Sequence, residues 1–184
     1  MNRIIPGTLL AALMAGPLSA VAADLAEQTY GRYVDQQGGI SLPEDARSSW
    51  PHLGSWIVED PEAPGHGFHD VYTQPEAVQG YRDTGAFPDG TILIKEIRSI
   101  ESGTKTTGQA QWAGEPQIWF VMVKDDKGRF DSPHWDKGWG WALYEAKDPS
   151  TNVSKGFAET CQTCHVPAEA TGWVFIEGYP TLKN

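Results

Sequence analysis

Polar and apolar positions alternate most regularly over residues 91–100. In a strand with a period of two, Thr91, Leu93, Lys95 and Ile97 share one face, and Ile92, Ile94, Glu96 and Arg98 share the other. Lys95 therefore stands among apolar neighbours. Two readings explain it: a gatekeeper charge on an edge strand, or an amine turned into a pocket, where burial favours its neutral, nucleophilic form. The pattern alone favours the gatekeeper. Residues 116–124 form a second strand, with Ile118, Phe120 and Met122 on one face and Trp119, Val121 and Val123 on the other. Apolar on both faces, it should lie centrally in a sheet. Shorter strands are expected at 50–58, 68–73, 138–145 and 173–176, with Trp139 and Trp141 on one side of the third. Helical spacing covers 24–36 behind Asp24, 75–82 before Gly85, and 153–165, and a further helix start falls at 41–45. Residues 60–67 read as a loop, 103–114 as a flexible hairpin loop and 125–136 as a charged turn region. The sum is an α+β fold, a mainly antiparallel β-sheet domain with flanking helices.

The first residues have a different character. Asn2 and Arg3 precede an apolar run over 9–14, and Ala20-Val21-Ala22 matches a small-x-small cleavage site. The run is well short of the ~20 residues a membrane span needs. Residues 1–22 are thus expected to be a secretory signal peptide, and 23–184 a single exported domain without a membrane span, in the periplasm. The chain carries 14 Lys and Arg against 24 Asp and Glu, a formal charge of -10. That balance argues against nucleic acid or an anionic membrane as partner, and suits a basic redox partner. Eight tryptophans, six tyrosines and six phenylalanines serve a core, or can wall in a flat apolar cofactor.

The chemistry is concentrated near the C-terminus. Cys161-Gln162-Thr163-Cys164-His165 holds both cysteines of the sequence, in the spacing that attaches a c-type haem. Two thiols add to neighbouring vinyl groups while the adjacent imidazole reaches the iron. A thioredoxin-like motif would stand early in a βαβ unit, and a structural zinc site would want a second ligand pair. A bare disulfide would leave His165 unexplained. The helix at 153–165 would deliver Cys161, Cys164 and His165, with His165 as the iron ligand. No methionine follows the motif. Met122, in a central strand, more simply serves the core, and His52, His66, His69 and His134 remain as alternatives. The iron is read as five-coordinate, open to small ligands.

Taken together, these features resemble the cytochrome P-460 family. The strand motif is Asp89-Gly90-Thr91-Ile92-Leu93-Ile94-Lys95-Glu96. Supporting matches are Val71-Tyr72, Pro75-Glu76, Thr84-Gly85-x-Phe87, Val174-Phe175 and Tyr179-Pro180. The resemblance spans roughly residues 40 to 182. It implies a β-sheet domain, usually a homodimer, with one five-coordinate haem c. Members of the family oxidise hydroxylamine with a lysine bonded to the porphyrin edge, a position that corresponds to Lys95. A related branch, the cytochromes c′-beta, lacks that bond and binds nitric oxide in an apolar pocket. This chain departs from the hydroxylamine-oxidising pattern at Phe120, which matches the position of a distal carboxylate, with Glu115 nearby. It departs again at His69, which stands for an arginine and could relay protons. Three functions follow as expectations. The first is redox chemistry on hydroxylamine or nitric oxide involving Lys95, His69 and Phe120. The second is plain binding of nitric oxide or carbon monoxide, and the third is electron transfer.

Overall fold

The computed structural model describes residues 17–183. Most of the expected signal peptide lies outside the described residues. One antiparallel sheet dominates, with β1 (His52–Val58), β2 (Gly67–Thr73), β3 (Ile92–Lys105), β4 (Gly108–Lys124), β5 (Trp135–Asp136) and β6 (Trp139–Glu145) in the order β1-β2-β3-β4-β6-β5. The helices α1 (Pro17–Arg32), α2 (Ala46–Ser49), α3 (Pro75–Thr84) and α4 (Gln162–His165) flank this curled sheet. The fold is α+β, as the sequence leads one to expect.

Local chemistry sets the boundaries. Proline at the first turn starts α3, and Gly85, left-handed at φ 77°, ends it with its N–H on the Tyr81 carbonyl. Gly90 allows α1 to approach the sheet, because a Cβ there would come within 2.4 Å of the Ala26 backbone. Two buried bonds staple that contact: the Thr29 hydroxyl donates to the Gly90 carbonyl at 2.6 Å, and the Gln74 amide donates to Thr29 at 3.0 Å.

The sequence expectations need three corrections. Residues 103–114 are not a loop, since β3 and β4 stay paired out to Lys105 and Gly108. These stretches are mostly polar on both faces, so no alternation marks them; the backbone ladder carries the ribbon, with the Lys105 amine 4.1 Å from the Trp112 ring and the Thr104 hydroxyl donating to Gln109 at 3.1 Å. Residues 173–176 are not a strand. Trp173 takes φ 70°, outside any extended conformation, and a 3-10 turn follows at Ile176–Gly178. The C-terminal helix is also shorter than expected. A π-helical turn at Phe157–Cys161 leads into α4, and a 3-10 turn at Val166–Thr171 follows.

The two faces of the sheet have different tasks. The outer face buries Ile92, Ile94, Val121, Val123 and Tyr144 beneath Val34, Ile40 and Ala46. Beside them lie the buried carboxylates of Asp70 and Glu96. Arg47 from α2 bonds them at 2.7 and 2.6 Å, and Arg98 bonds Glu96 at 2.6 Å. Buried charges are tolerable only when paired in this way. The inner face carries Leu53, Val71, Leu93, Met122, Trp139 and Trp141, packed against Phe157, Trp173, Val174 and Tyr179 of the C-terminal segment.

Candidate functional site

Between the inner face and the C-terminal segment is a cavity of about 160 Å³ that opens to solvent. Its wall crosses five strands, through Trp56 of β1, Val71 of β2, Lys95 of β3, Phe120 and Met122 of β4, and Trp141 of β6. Cys161, Cys164, His165, Phe175 and Tyr179 close it from the other side. The structure thus brings the haem-attachment motif and the strand residues Lys95 and Phe120 to one chamber.

The π turn places the two thiols differently, Cys161 buried and Cys164 exposed, and both are free. Such turns insert one residue into helical geometry and often occur at functional sites. Burial pushes the Cys161 thiol up to about 11, so it stays protonated at neutral pH.

His165 is held by its own backbone surroundings. Its Nδ1 lies 2.7 Å from the Trp173 carbonyl. A carbonyl oxygen only accepts, so Nδ1 carries the proton and Nε2 keeps a free lone pair. Burial depresses the imidazole pKa, which keeps the ring neutral. Metal-binding histidines are commonly oriented by a bond of this kind. The acceptor is a strained residue: Trp173 is a bulky side chain with left-handed φ, directly after Gly172 at φ 71°. The surroundings hold it there. Its N–H donates to Ala168 at 2.8 Å, and its ring meets Phe157 edge-on at 5.2 Å. Backbone strain of this sort is characteristic of functional sites.

Lys95 lies on the third of six strands, so the edge gatekeeper reading is set aside. Its amine sits 4.4 Å from the centre of the Phe120 ring, its partner across β3 and β4. Burial lowers its pKa, outweighing the neighbouring thiols. Among the described residues it makes no hydrogen bond or ion pair, and no Asp or Glu lines the cavity. Phe120 contributes an apolar ring at the position discussed for a carboxylate. Glu115 is exposed and outside the lining.

His69 is 3% exposed, with its ring 5.1 Å from that of Trp56. Its Nε2 donates to the Gly65 carbonyl at 2.6 Å, while Nδ1 is sealed without a partner. Burial holds its pKa below the usual imidazole value. It stands outside the lining, against a residue that lines the cavity. The other histidines have local bonds instead: His52 to Ser55, His66 to the Val58 carbonyl and His134 to the Ser154 carbonyl. Met122 is buried in the wall. The tether from Trp173 and the phenol of Tyr179 are features that sequence reasoning missed. Tyr179 entered the sequence reading only as part of a family motif, and nothing in the pattern around Trp173 signals a left-handed residue.

The donor set suits a c-type haem. Two thiols three residues apart, one neutral imidazole with a free Nε2, and a broad apolar wall all meet in one chamber. The family model for cytochrome P460 matches residues 43–176. No curated protein matches the chain.

Proposed function

The match spans most of the chain, which therefore belongs to the cytochrome P460 family, and on that premise we propose that it is an exported c-type haem protein performing redox chemistry on small nitrogen species such as hydroxylamine or nitric oxide. In this reading Cys161 and Cys164 would form the thioethers, His165 would hold the iron through Nε2, and the Lys95 amine would replace a hydrogen on the porphyrin edge, a two-electron oxidation that needs an external oxidant of the peroxide class. When bound, the haem supplies an iron that changes oxidation state and accepts small ligands on an open face.

The observation that carries the proposal is the setting of Lys95. An amine without a counter-ion, in an apolar wall that disfavours its charge, is the form that acts as a nucleophile. It lines the same cavity as both thiols, and its one contact is the Phe120 ring. Phe120 excludes water from the wall. His69 Nδ1, an unpartnered lone pair on a neutral ring, can take up a proton if the Trp56 side moves to admit one. The acidic surface suits a basic periplasmic electron partner, and the family's usual homodimer is part of the proposal.

One observation favours a second reading. With Phe120 at the wall and no carboxylate in the lining, the site also suits capture of nitric oxide or carbon monoxide without turnover. Intact mass and the optical spectrum of the purified protein test the first reading. A ferrous Soret band displaced far to the red of ordinary haem c, with a mass showing bonds beyond the two thioethers, supports the Lys95 linkage. Hydroxylamine-dependent reduction of an added acceptor then supports turnover. An ordinary spectrum and no reduction leave the binding reading.

A further inference from the structure

Resting on the haem reading above, we propose that the β1 end of the cavity is a carboxylate-binding subsite, in which the Tyr179 hydroxyl and the Trp56 indole N–H hold a propionate of the cofactor. The first support is topological. The cavity wall runs from Trp141 on β6 to Trp56 on β1, four strand spacings of about 4.8 Å, or ~19 Å in all. The attachment segment packs at the β6 end, with the Trp141 ring 4.8 Å from His165 and 4.9 Å from Phe157. A porphyrin carries its two propionates on the edge opposite its two vinyl groups. Anchoring the vinyl edge at Cys161 and Cys164 therefore directs the carboxylates away from β6, toward β1.

The second support is an unexplained polar group at that end. Tyr179 is only 5% exposed, lines the cavity, and its hydroxyl has no hydrogen-bond partner among the described residues. The hydroxyl is not sealed, so it is open to a group that enters the cavity. Burial raises the pKa of this phenol, so it stays a donor at any physiological pH. Its ring lies 6.4 Å from that of Trp56, whose N–H also has no partner among the described residues. His69, the cross-strand partner of Trp56, is outside the lining and its buried Nδ1 offers only an acceptor. The reachable groups are therefore both donors, and no Asp or Glu in the lining competes for them. Two donors without a protein acceptor fit an oxyanion, and the cofactor's geometry brings one there.

The test uses the haem-loaded protein and Tyr179→Phe, which deletes only the hydroxyl. The readout is the pH dependence of the reduction potential, which inflects where a carboxyl coupled to the iron titrates. Loss of a hydrogen bond to the charged form should move that inflection up by about one pH unit. Trp56→Phe, which deletes the N–H, should move it in the same direction. An inflection that stays in place in both variants overturns the proposal. So does weakened binding of added nitrite with an unmoved inflection, which would assign the donors to a free oxyanion. A wild-type protein without covalent haem, read by intact mass, would sink the haem reading and this proposal together. A loaded wild type with unmoved variants would sink this proposal alone.

Discussion

Gly172 and Gly85 allow a controlled test of whether the His165 tether is tuned by the turn that carries it. Both are left-handed, at φ 71° and 77°, and a Cβ built on either meets no atom within 4 Å. Substitution by alanine therefore introduces backbone strain without a steric clash. The left-handed conformation costs an L-residue about 1–2 kcal/mol. At ~2–4 °C per kcal/mol for a chain of this size, each variant should melt about 2–8 °C below wild type. Their functional effects should differ. The Gly172 carbonyl accepts the Trp139 indole N–H at 2.9 Å, and the next carbonyl holds His165. Relaxation of the strained turn in Gly172→Ala should weaken the bond that keeps Nδ1 protonated and the ring aligned. Gly85 ends α3, away from the lining. Thermal melts of the loaded proteins, with redox titration of each, should show equal losses of stability and a shifted reduction potential only in Gly172→Ala. A potential that moves equally in both variants, or in neither, refutes the role given to the Gly172–Trp173 turn. A Gly172→Ala protein as stable as wild type refutes the strain argument.

Replacing Lys95 with methionine keeps the length of the side chain and removes the amine. It should give an ordinary c-type spectrum and only the thioether mass. Phe120→Glu should raise hydroxylamine-dependent acceptor reduction by about 100-fold, the lower range for a positioned proton acceptor, and steady-state assays will show whether it does. For His69, burial holds the folded pKa below the unfolded ~6.5, so the unfolded chain binds the extra proton; its cost to stability is absent above that pH and grows as pH falls. Urea titrations of His69→Leu should therefore show a flatter loss of stability below pH ~6.5 than wild type. Asp89 behaves in the opposite sense. Burial pushes its carboxyl up, but the Arg129 bonds and the Asp126 N–H outweigh that and hold it below its usual range. Its contribution is thus complete above pH ~4 and lost as pH falls through the folded value. Arg129→Leu should unfold at a higher pH in acid titrations followed by circular dichroism.

Strand residues were legible because burial on one or both faces leaves a period in the sequence. The alternation around Lys95 places it on the face with Leu93 and Ile97, and all three line the cavity. The same pattern could not say whether that strand was an edge, because edge status depends on pairing across the sheet. Lys95 pairs with Val71 on one side and Phe120 on the other, contacts between segments that no local window contains. The ribbon at 103–114 escaped for the converse reason. It is exposed on both faces, so no burial period exists, and its ladder of backbone bonds is blind to side-chain type. The Cys161–His165 motif was legible because its residues are nearly consecutive, and the structure sets Cys161, Cys164 and His165 together on the cavity wall. What holds His165 in place is a backbone conformation at Trp173, a residue type that seldom adopts it, and composition gives no hint of that.

The separation of charge between the two faces bears on which function the site can perform. Asp70 and Glu96 are buried beside the same strands that wall the cavity, yet both point to the outer face and are neutralised there by Arg47 and Arg98. Because side chains alternate along β3, Glu96 faces away from the chamber as a direct consequence of Lys95 facing into it. The chamber thus has a lone amine and no acid in its lining. A site arranged this way disfavours protons leaving a bound substrate through a carboxylate, and it favours a neutral acceptor or none. His69 is the neutral acceptor beside it, and its access depends on Trp56. Turnover of hydroxylamine would then be limited by how readily the β1 end opens. Capture of a diatomic ligand, which releases no proton, would not be. Solvent-isotope effects on the two processes should diverge for that reason: large for hydroxylamine oxidation, and near one for carbon monoxide binding.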